Sequence, residues 1–193
     1  MQEKNKQKKV IVLLGSPRKK GNSTTLAKQI IRGVESAGGQ TETVYLNGLN
    51  IKPCQGYYAC KKEDSSGCAV NDDMQSLYPK LVDSDAWVIA SPVYWFTMSA
   101  QTKIFMDRCF ALFNEDAQKS PLYKKRIAIA MSYGDADAFA SGCVNALRSF
   151  QDTYNYVGAD IVGMVYGSAE EPGEIASNAE LMKQAEELGK ELL

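Results

Sequence analysis

The chain has 193 residues, 45% apolar and 23% charged, which is the size of one domain with a substantial core. Its formal net charge of -1 argues against general binding to nucleic acid or to a membrane surface, since both favour a basic excess. Histidine is absent, which excludes a Ser-His-Asp triad, imidazole proton shuttling and most catalytic zinc sites, and moves the expected chemistry onto a bound cofactor.

In chain order, residues 1–8 are expected to form a flexible, solvated start to a single domain covering 1–193. With neither an export signal nor a membrane-spanning apolar run, a cytoplasmic location is expected. Val10 to Leu14 is a continuous apolar run stopped by Gly15 and Pro17, the pattern of a strand buried on both faces. Asn22 or Ser23 can cap a helix with Leu26, Ile30, Ile31 and Val34 on its apolar face, ended by Gly38 and Gly39. Thr43 to Leu46 reads as a second strand. Asp72 and Asp73 can cap a helix carrying Met74, Leu77, Leu81 and Val82, which Pro79 is expected to kink or split.

Ala86 to Ala90 is the third strand, and Ser99 to Phe113 a helix with Ile104, Phe105, Cys109 and Leu112 inward. Ile127 to Met131, a helix through Val144, Leu147, Phe150 and Tyr154, the strand Ile161 to Val165 and a helix from about Asn178 complete the chain. Five alternations of strand and helix call for a doubly wound α/β sheet, and five parallel strands suit the flavodoxin-like order 2-1-3-4-5, with FMN at the switch point between strands 1 and 3.

The two loops leaving those strands carry unusual chemistry. GSPRKKGNSTT joins a buried strand to a helix start, where backbone N–H groups favour an anion and Ser16, Asn22, Ser23 and Thr24 add side-chain donors. Arg18 supplies a planar fork suited to phosphate, whereas the endings of a triphosphate loop or a dinucleotide fingerprint are missing. The bland alternative is an ordinary capped turn. In SPVYWFTMSAQTKIFMDR, Tyr94, Trp95 and Phe96 leave a buried strand in succession, an apolar surface that calls for a flat ligand or a partner to cover it.

Together, GSPRKKGNSTTLA, the PC…C…GC-to-DDM segment and SPVYWFTMSAQTKIFMDR resemble the NADPH-dependent FMN reductase superfamily of flavodoxin-like proteins, in particular its iron–sulfur flavoprotein branch and cluster-free relatives. The resemblance implies that Ser16, Arg18, Asn22, Ser23 and Thr24 hold the FMN phosphate. Pro92, Val93, Tyr94, Trp95 and Phe96 would border the isoalloxazine, with Tyr133, Gly134 and Asp135 closing the far side. It implies an NAD(P)H oxidoreductase passing electrons to a quinone, flavin or other small aromatic acceptor, and self-association as a homodimer or homotetramer. The alternative it carries is an electron-transfer protein reduced by ferredoxin. No catalytic side chain is assigned beyond the flavin, although Tyr94, Tyr133 or water could deliver a proton.

The cluster-bearing branch has a Cys-x-x-Cys-x-x-Cys set followed by a fourth cysteine. Here Cys54, Cys60 and Cys68 are present, and Tyr57 stands where the second cysteine would be. A [4Fe–4S] cluster is normally held by four thiolates, so the segment is expected to hold no metal. A three-cysteine cluster with one open iron, or zinc completed by Glu63 or Asp64, remains the other option. Cys109 and Cys143 are expected in the core, and Asp107 with Arg108 can form a local ion pair.

Overall fold

The computed structural model describes residues 7–193; the start expected to be flexible therefore lies outside the described residues for positions 1–6. Gln7 Nε2 donates to the Gly38 carbonyl at 2.9 Å. The elements are β1 (Lys9–Leu14), α1 (Asn22–Ser36), β2 (Gln40–Tyr45), α2 (Met74–Asp83), β3 (Ala86–Tyr94), β4 (Thr97–Met98), α3 (Ala100–Arg108), β5 (Arg126–Tyr133), α4 (Cys143–Tyr156), β6 (Asp160–Ser168) and α5 (Ala179–Glu191).

The long strands pair in parallel in the order β2-β1-β3-β5-β6, the expected order with one addition: the two residues of β4 fold back antiparallel on the end of β3. Alternation along each strand separates two cores. Ile11, Leu13, Trp87, Ile89, Ile127 and Ile129 face α2, α3 and α4. Val10, Val12, Leu14, Ala86, Val88, Ala90, Ala128 and Ala130 face α1 and α5. Complete burial of each larger aliphatic residue contributes about 1.5–3 kcal/mol against exposure.

The second face uses small residues, and its helices also meet closely. A Cβ at Gly33 would lie 1.9 Å from the Glu186 carbonyl oxygen, and one at Gly189 would lie 2.1 Å from that of Ile30. Glycine is therefore required where α1 crosses α5.

Two local expectations are corrected, and of the two outcomes expected at Pro79 the split does not occur: α2 runs unbroken through it, with Pro79 and Gln75 both exposed while the docking residues Met74, Leu77 and Leu81 continue uninterrupted. Val82 is 43% exposed and does not belong to that docking face. The helix from Ser99 tightens into a 3-10 turn at Cys109–Leu112 after α3 ends at Arg108. Behind α2, Lys125 reaches the carbonyls of Leu81, Val82 and Ser84, so a cation satisfies the end of that helix. Burial lowers the pKa of this lysine.

Candidate functional site

At the C-terminal ends of β1, β3, β5 and β6 the loops enclose a crevice of about 150 Å³. Ser16, Arg18, Gly21, Asn22 and Ser23 form one wall; Pro92, Val93, Tyr94, Ser132, Tyr133 and Gly134 form the floor and opposite side. The crevice thus opens at the switch point of the sheet, where β1 and β3 diverge. Nine of the thirteen residues expected at the site line it. Thr24, Trp95, Phe96 and Asp135 do not.

The wall nearest α1 has the chemistry of an anion seat. The first N–H groups of any helix lack intrahelical acceptors, and here the cap is Gly21, with no side-chain cap bond and no acidic residue in the first turn. Ser23 is buried, and its Oγ has no hydrogen-bond partner among the described residues. Ser16 Oγ accepts from Arg18 N at 3.1 Å, which folds the loop back towards the helix start. An orphaned hydroxyl beside an uncapped helix terminus fits the phosphate end of FMN.

Thr24 and Asn22 act differently from the other residues of that loop. Thr24 is buried and its hydroxyl donates to the Arg18 carbonyl at 3.4 Å, bracing the loop from behind. Asn22 uses its entire carboxamide: Nδ2 donates to Ala169 O and Glu171 O, while Oδ1 accepts from Gly173 N and Ile175 N. It ties the β1–α1 loop to the β6–α5 loop and carries Ala169, Glu170 and Pro172 into the wall of the crevice. No local motif marks those three residues; only the long-range bonds of Asn22 bring them in.

A buried hydroxyl network fixes the floor. Ser99 Oγ donates to Gly15 O at 2.8 Å, Ser99 N donates to Ser91 Oγ at 3.0 Å, and Thr102 N donates to Ser99 Oγ at 3.3 Å. The ends of β1 and β3 and the start of α3 are thereby joined. Burial raises the pKa of Tyr133, so its phenol keeps its proton through neutral pH. Asp135 turns to the chain, its Oδ1 accepting from Ala136 N at 2.9 Å.

Trp95 and Phe96 form the two-residue turn of the β3–β4 hairpin with φ of 47° and 68°. Such hairpins favour positive φ at both central positions, normally supplied by Asn-Gly, and a bulky residue there stores roughly 1–2 kcal/mol. The strained turn is pinned by Asn145 Nδ2, which donates to Phe96 O at 3.0 Å, and by Gly142, where an added Cβ would lie 2.5 Å from the same oxygen. Trp95 is 91% exposed. Phe96→Gly should therefore raise stability by about 1 kcal/mol, measured by thermal melts, and a loss of stability would mean that packing of the Phe96 ring outweighs the strain of the turn.

The cysteine segment lies on the α3 side. Asp107 pairs with Lys103, correcting the expected Asp107–Arg108 bond. Arg108 is buried and instead grips Asp72, with both side chains fully inaccessible, and it also donates to Lys52 O and Cys68 Sγ. Of the two expected caps, Asp72 accepts from Met74 N, whereas Asp73, at the cap position, makes no cap bond and accepts from Asn50 N instead. Cys109 and Cys143 are buried as expected, and burial raises both thiols, Cys143 to about 11. Among the described residues, no three Cys, His, Asp or Glu side chains gather so as to hold a metal ion. No helix among them is long and apolar enough to cross a membrane.

Comparison with known proteins adds the family. Residues 8–173 match the family described as NADPH-dependent FMN reductase. An iron-sulfur flavoprotein of Archaeoglobus fulgidus is 29% identical over 184 residues, covering 95% of this chain and 78% of the relative. Among solved structures, the NAD(P)H:quinone oxidoreductase from Methanothermobacter marburgensis superposes with a TM-score of 0.74 at 17% identity, covering 96% and 97% of the two chains. The two-electron reduced flavodoxin of Megasphaera elsdenii gives 0.59 at 17% identity, covering 95% and 97%. At those identities the two structures bear on the fold alone, and they make it flavodoxin-like. With a match spanning nearly the whole sheet and every loop of the crevice, the chain belongs to the NADPH-dependent FMN reductase family and is an FMN-dependent NAD(P)H oxidoreductase.

Proposed function

We propose that this oxidoreductase transfers electrons from NADH or NADPH to a flat aromatic acceptor of the quinone or flavin class, and that it works as a homodimer or homotetramer. The observation that carries the reading is a crevice that joins an uncapped helix start, with the orphaned Ser23 hydroxyl, to the backing formed by Pro92, Val93 and Tyr94. Bound FMN would supply the two-electron redox chemistry. Ser16, Ser23, Arg18 and the first N–H groups of α1 would hold its phosphate, with Thr24 and Asn22 keeping that wall in place. Pro92, Val93, Tyr94 and Gly134 would border the ring and exclude water from one side.

Tyr133 would hold a proton at its hydroxyl near the ring edge, a role suited to a phenol whose pKa burial has raised. Trp95 and Phe96 would present an aromatic surface above the crevice mouth, for the acceptor or for a second copy of the chain. No nucleophile or imidazole is needed for hydride transfer, which agrees with a histidine-free chain.

The other reading is a carrier reduced by ferredoxin; the Archaeoglobus fulgidus relative is named an iron-sulfur flavoprotein. A four-thiolate cluster does not fit the residues here: Tyr57 stands where the second cysteine of the set would be, leaving Cys54, Cys60 and Cys68. Anaerobic addition of NADH and NADPH to the flavin-loaded protein, followed by the visible absorbance of the flavin, tests the proposal. Rapid bleaching by at least one nicotinamide, reversed by a quinone, is the expected result. Bleaching only by reduced ferredoxin would overturn it.

A further inference from the structure

Cys54, Cys60 and Cys68 line one cavity of about 190 Å³, together with Tyr57, Tyr58 and Phe110. Three thiols on one cavity invite a metal, yet they are not arranged for one. No metal-holding group of three ligands forms among the described residues, Tyr57 is 65% exposed, and the Cys68 sulfur accepts an N–H bond from Arg108 Nη2 at 3.4 Å. The guanidinium is held in place by Asp72 and the Lys52 carbonyl, which accept from its Nη1 and Nη2 groups.

We propose that Cys68 is a hydroperoxide-reactive thiol that closes a reversible disulfide with Cys54 or Cys60, making PCQGYYACKKEDSSGC a redox-modified segment instead of a metal site. A fixed cation hydrogen-bonded to a partly exposed sulfur is the setting of reactive cysteines, whereas buried apolar thiols are inert. Cys68 has that setting, while Cys109 and Cys143 are buried with raised pKa values. Cys60 sits beside a second cation, Lys61, whose amino group is anchored on the carbonyls of Phe110 and Phe113. The intervening chain has positive φ at Gly56, Tyr58 and Gly67, and one short 3-10 turn at Ala59–Lys61.

The chemistry balances with a hydroperoxide, ROOH, as oxidant. The Cys68 sulfur attacks the terminal peroxide oxygen: an S–O bond forms, the O–O bond breaks, and the leaving alkoxide takes the thiol proton as ROH. The second thiol then attacks the Cys68 sulfur, forming S–S and releasing the hydroxyl with the second proton as water. Two thiols are oxidised by two electrons, and one hydroperoxide is reduced to alcohol and water.

The test is peptide mass mapping of the purified full chain before and after an equimolar dose of hydrogen peroxide, with iron and zinc measured on the same sample. The expected product links Cys68 to Cys54 or Cys60 with the loss of two hydrogens, is reversed by dithiothreitol, and leaves Cys109 and Cys143 unchanged. In untreated protein, iodoacetamide should label Cys68 about tenfold faster than the more exposed Cys54. Cys68→Ser should abolish the link, and the labelling rates keep the test intact if that variant folds poorly. Fastest labelling at Cys54, oxidation without a link, or stoichiometric iron or zinc on the protein would each overturn the proposal. None of these readouts depends on flavin reduction, so the result is separable from the fate of the oxidoreductase reading.

Discussion

Arg108→Ala is expected to destabilise the fold by about 3–5 kcal/mol, the cost of leaving one member of a buried pair without its partner. Arg108 and Asp72 are both fully inaccessible at their side chains, and the pair joins the end of α3 to the segment leading into α2. Asp72 also accepts from Lys52 N at 2.8 Å and Met74 N at 3.1 Å, so its carboxylate organises three pieces of chain. A shift in the denaturant midpoint with an unchanged slope measures the loss. Replacing both partners, Arg108→Met with Asp72→Leu, should restore part of it but not all, because the two backbone N–H groups lose their acceptor. A single variant within 1 kcal/mol of the parent would mean that the pair is not buried in solution.

The same pair sets a pH dependence. Burial alone would raise the Asp72 pKa, but the Arg108 guanidinium and the Lys52 and Met74 N–H groups outweigh it and hold the carboxyl below its ordinary value of 3.8. A depressed folded pKa contributes stability that is fully present above the unfolded value and is lost as pH falls through the folded one. Stability of the parent should therefore drop from pH about 4 downward, and Asp72→Asn should flatten that limb although it is less stable at neutral pH.

Much of this fold was legible in the residue pattern because its signals are local. Continuous apolar runs such as Val10–Leu14 and Ile127–Met131 occur where strands are covered on both faces, although β3 continues past its apolar run at Ala90 as far as Tyr94. The crevice was legible for a related reason: the switch point of the sheet selects two loops, and their serines, arginine and aromatics are chemically unusual. What escaped depends on long-range pairing. The hairpin β4 has only two residues, in a segment whose apolar pattern already continued into α3. Chain proximity points Arg108 to its neighbour Asp107, whereas its partner is Asp72, beyond the reach of helical spacing. Ala169, Glu170 and Pro172 enter the crevice only because the Asn22 carboxamide bonds the backbone around them.

Gly15→Ala should cost at least about 2–3 kcal/mol and weaken flavin retention by tenfold or more, a larger effect than any single hydroxyl deletion in the crevice. A Cβ at this position would sit 1.9 Å from Thr102 Oγ1, 3.0 Å from Ser99 Oγ and 3.2 Å from the Ala90 carbonyl oxygen. Thr102 and Ser99 are fully buried, so neither can rotate into solvent to make room. Relief must come from moving the end of β1, where Gly15 N donates to Ala90 O at 2.8 Å and Gly15 O accepts from Ser99. That backbone leads directly into Ser16 and the wall proposed to hold the FMN phosphate, so strain at Gly15 reaches the crevice through one peptide unit. Thr102→Ala removes the obstructing oxygen, and combining it with Gly15→Ala should recover most of both losses, a coupling well above the few tenths of a kcal/mol seen between independent sites. Melting curves and the flavin-to-protein absorbance ratio of the four proteins in the cycle measure it. Additive losses would show that the close approach at Gly15 is not what holds the loop, and that the wall is positioned by Asn22 alone.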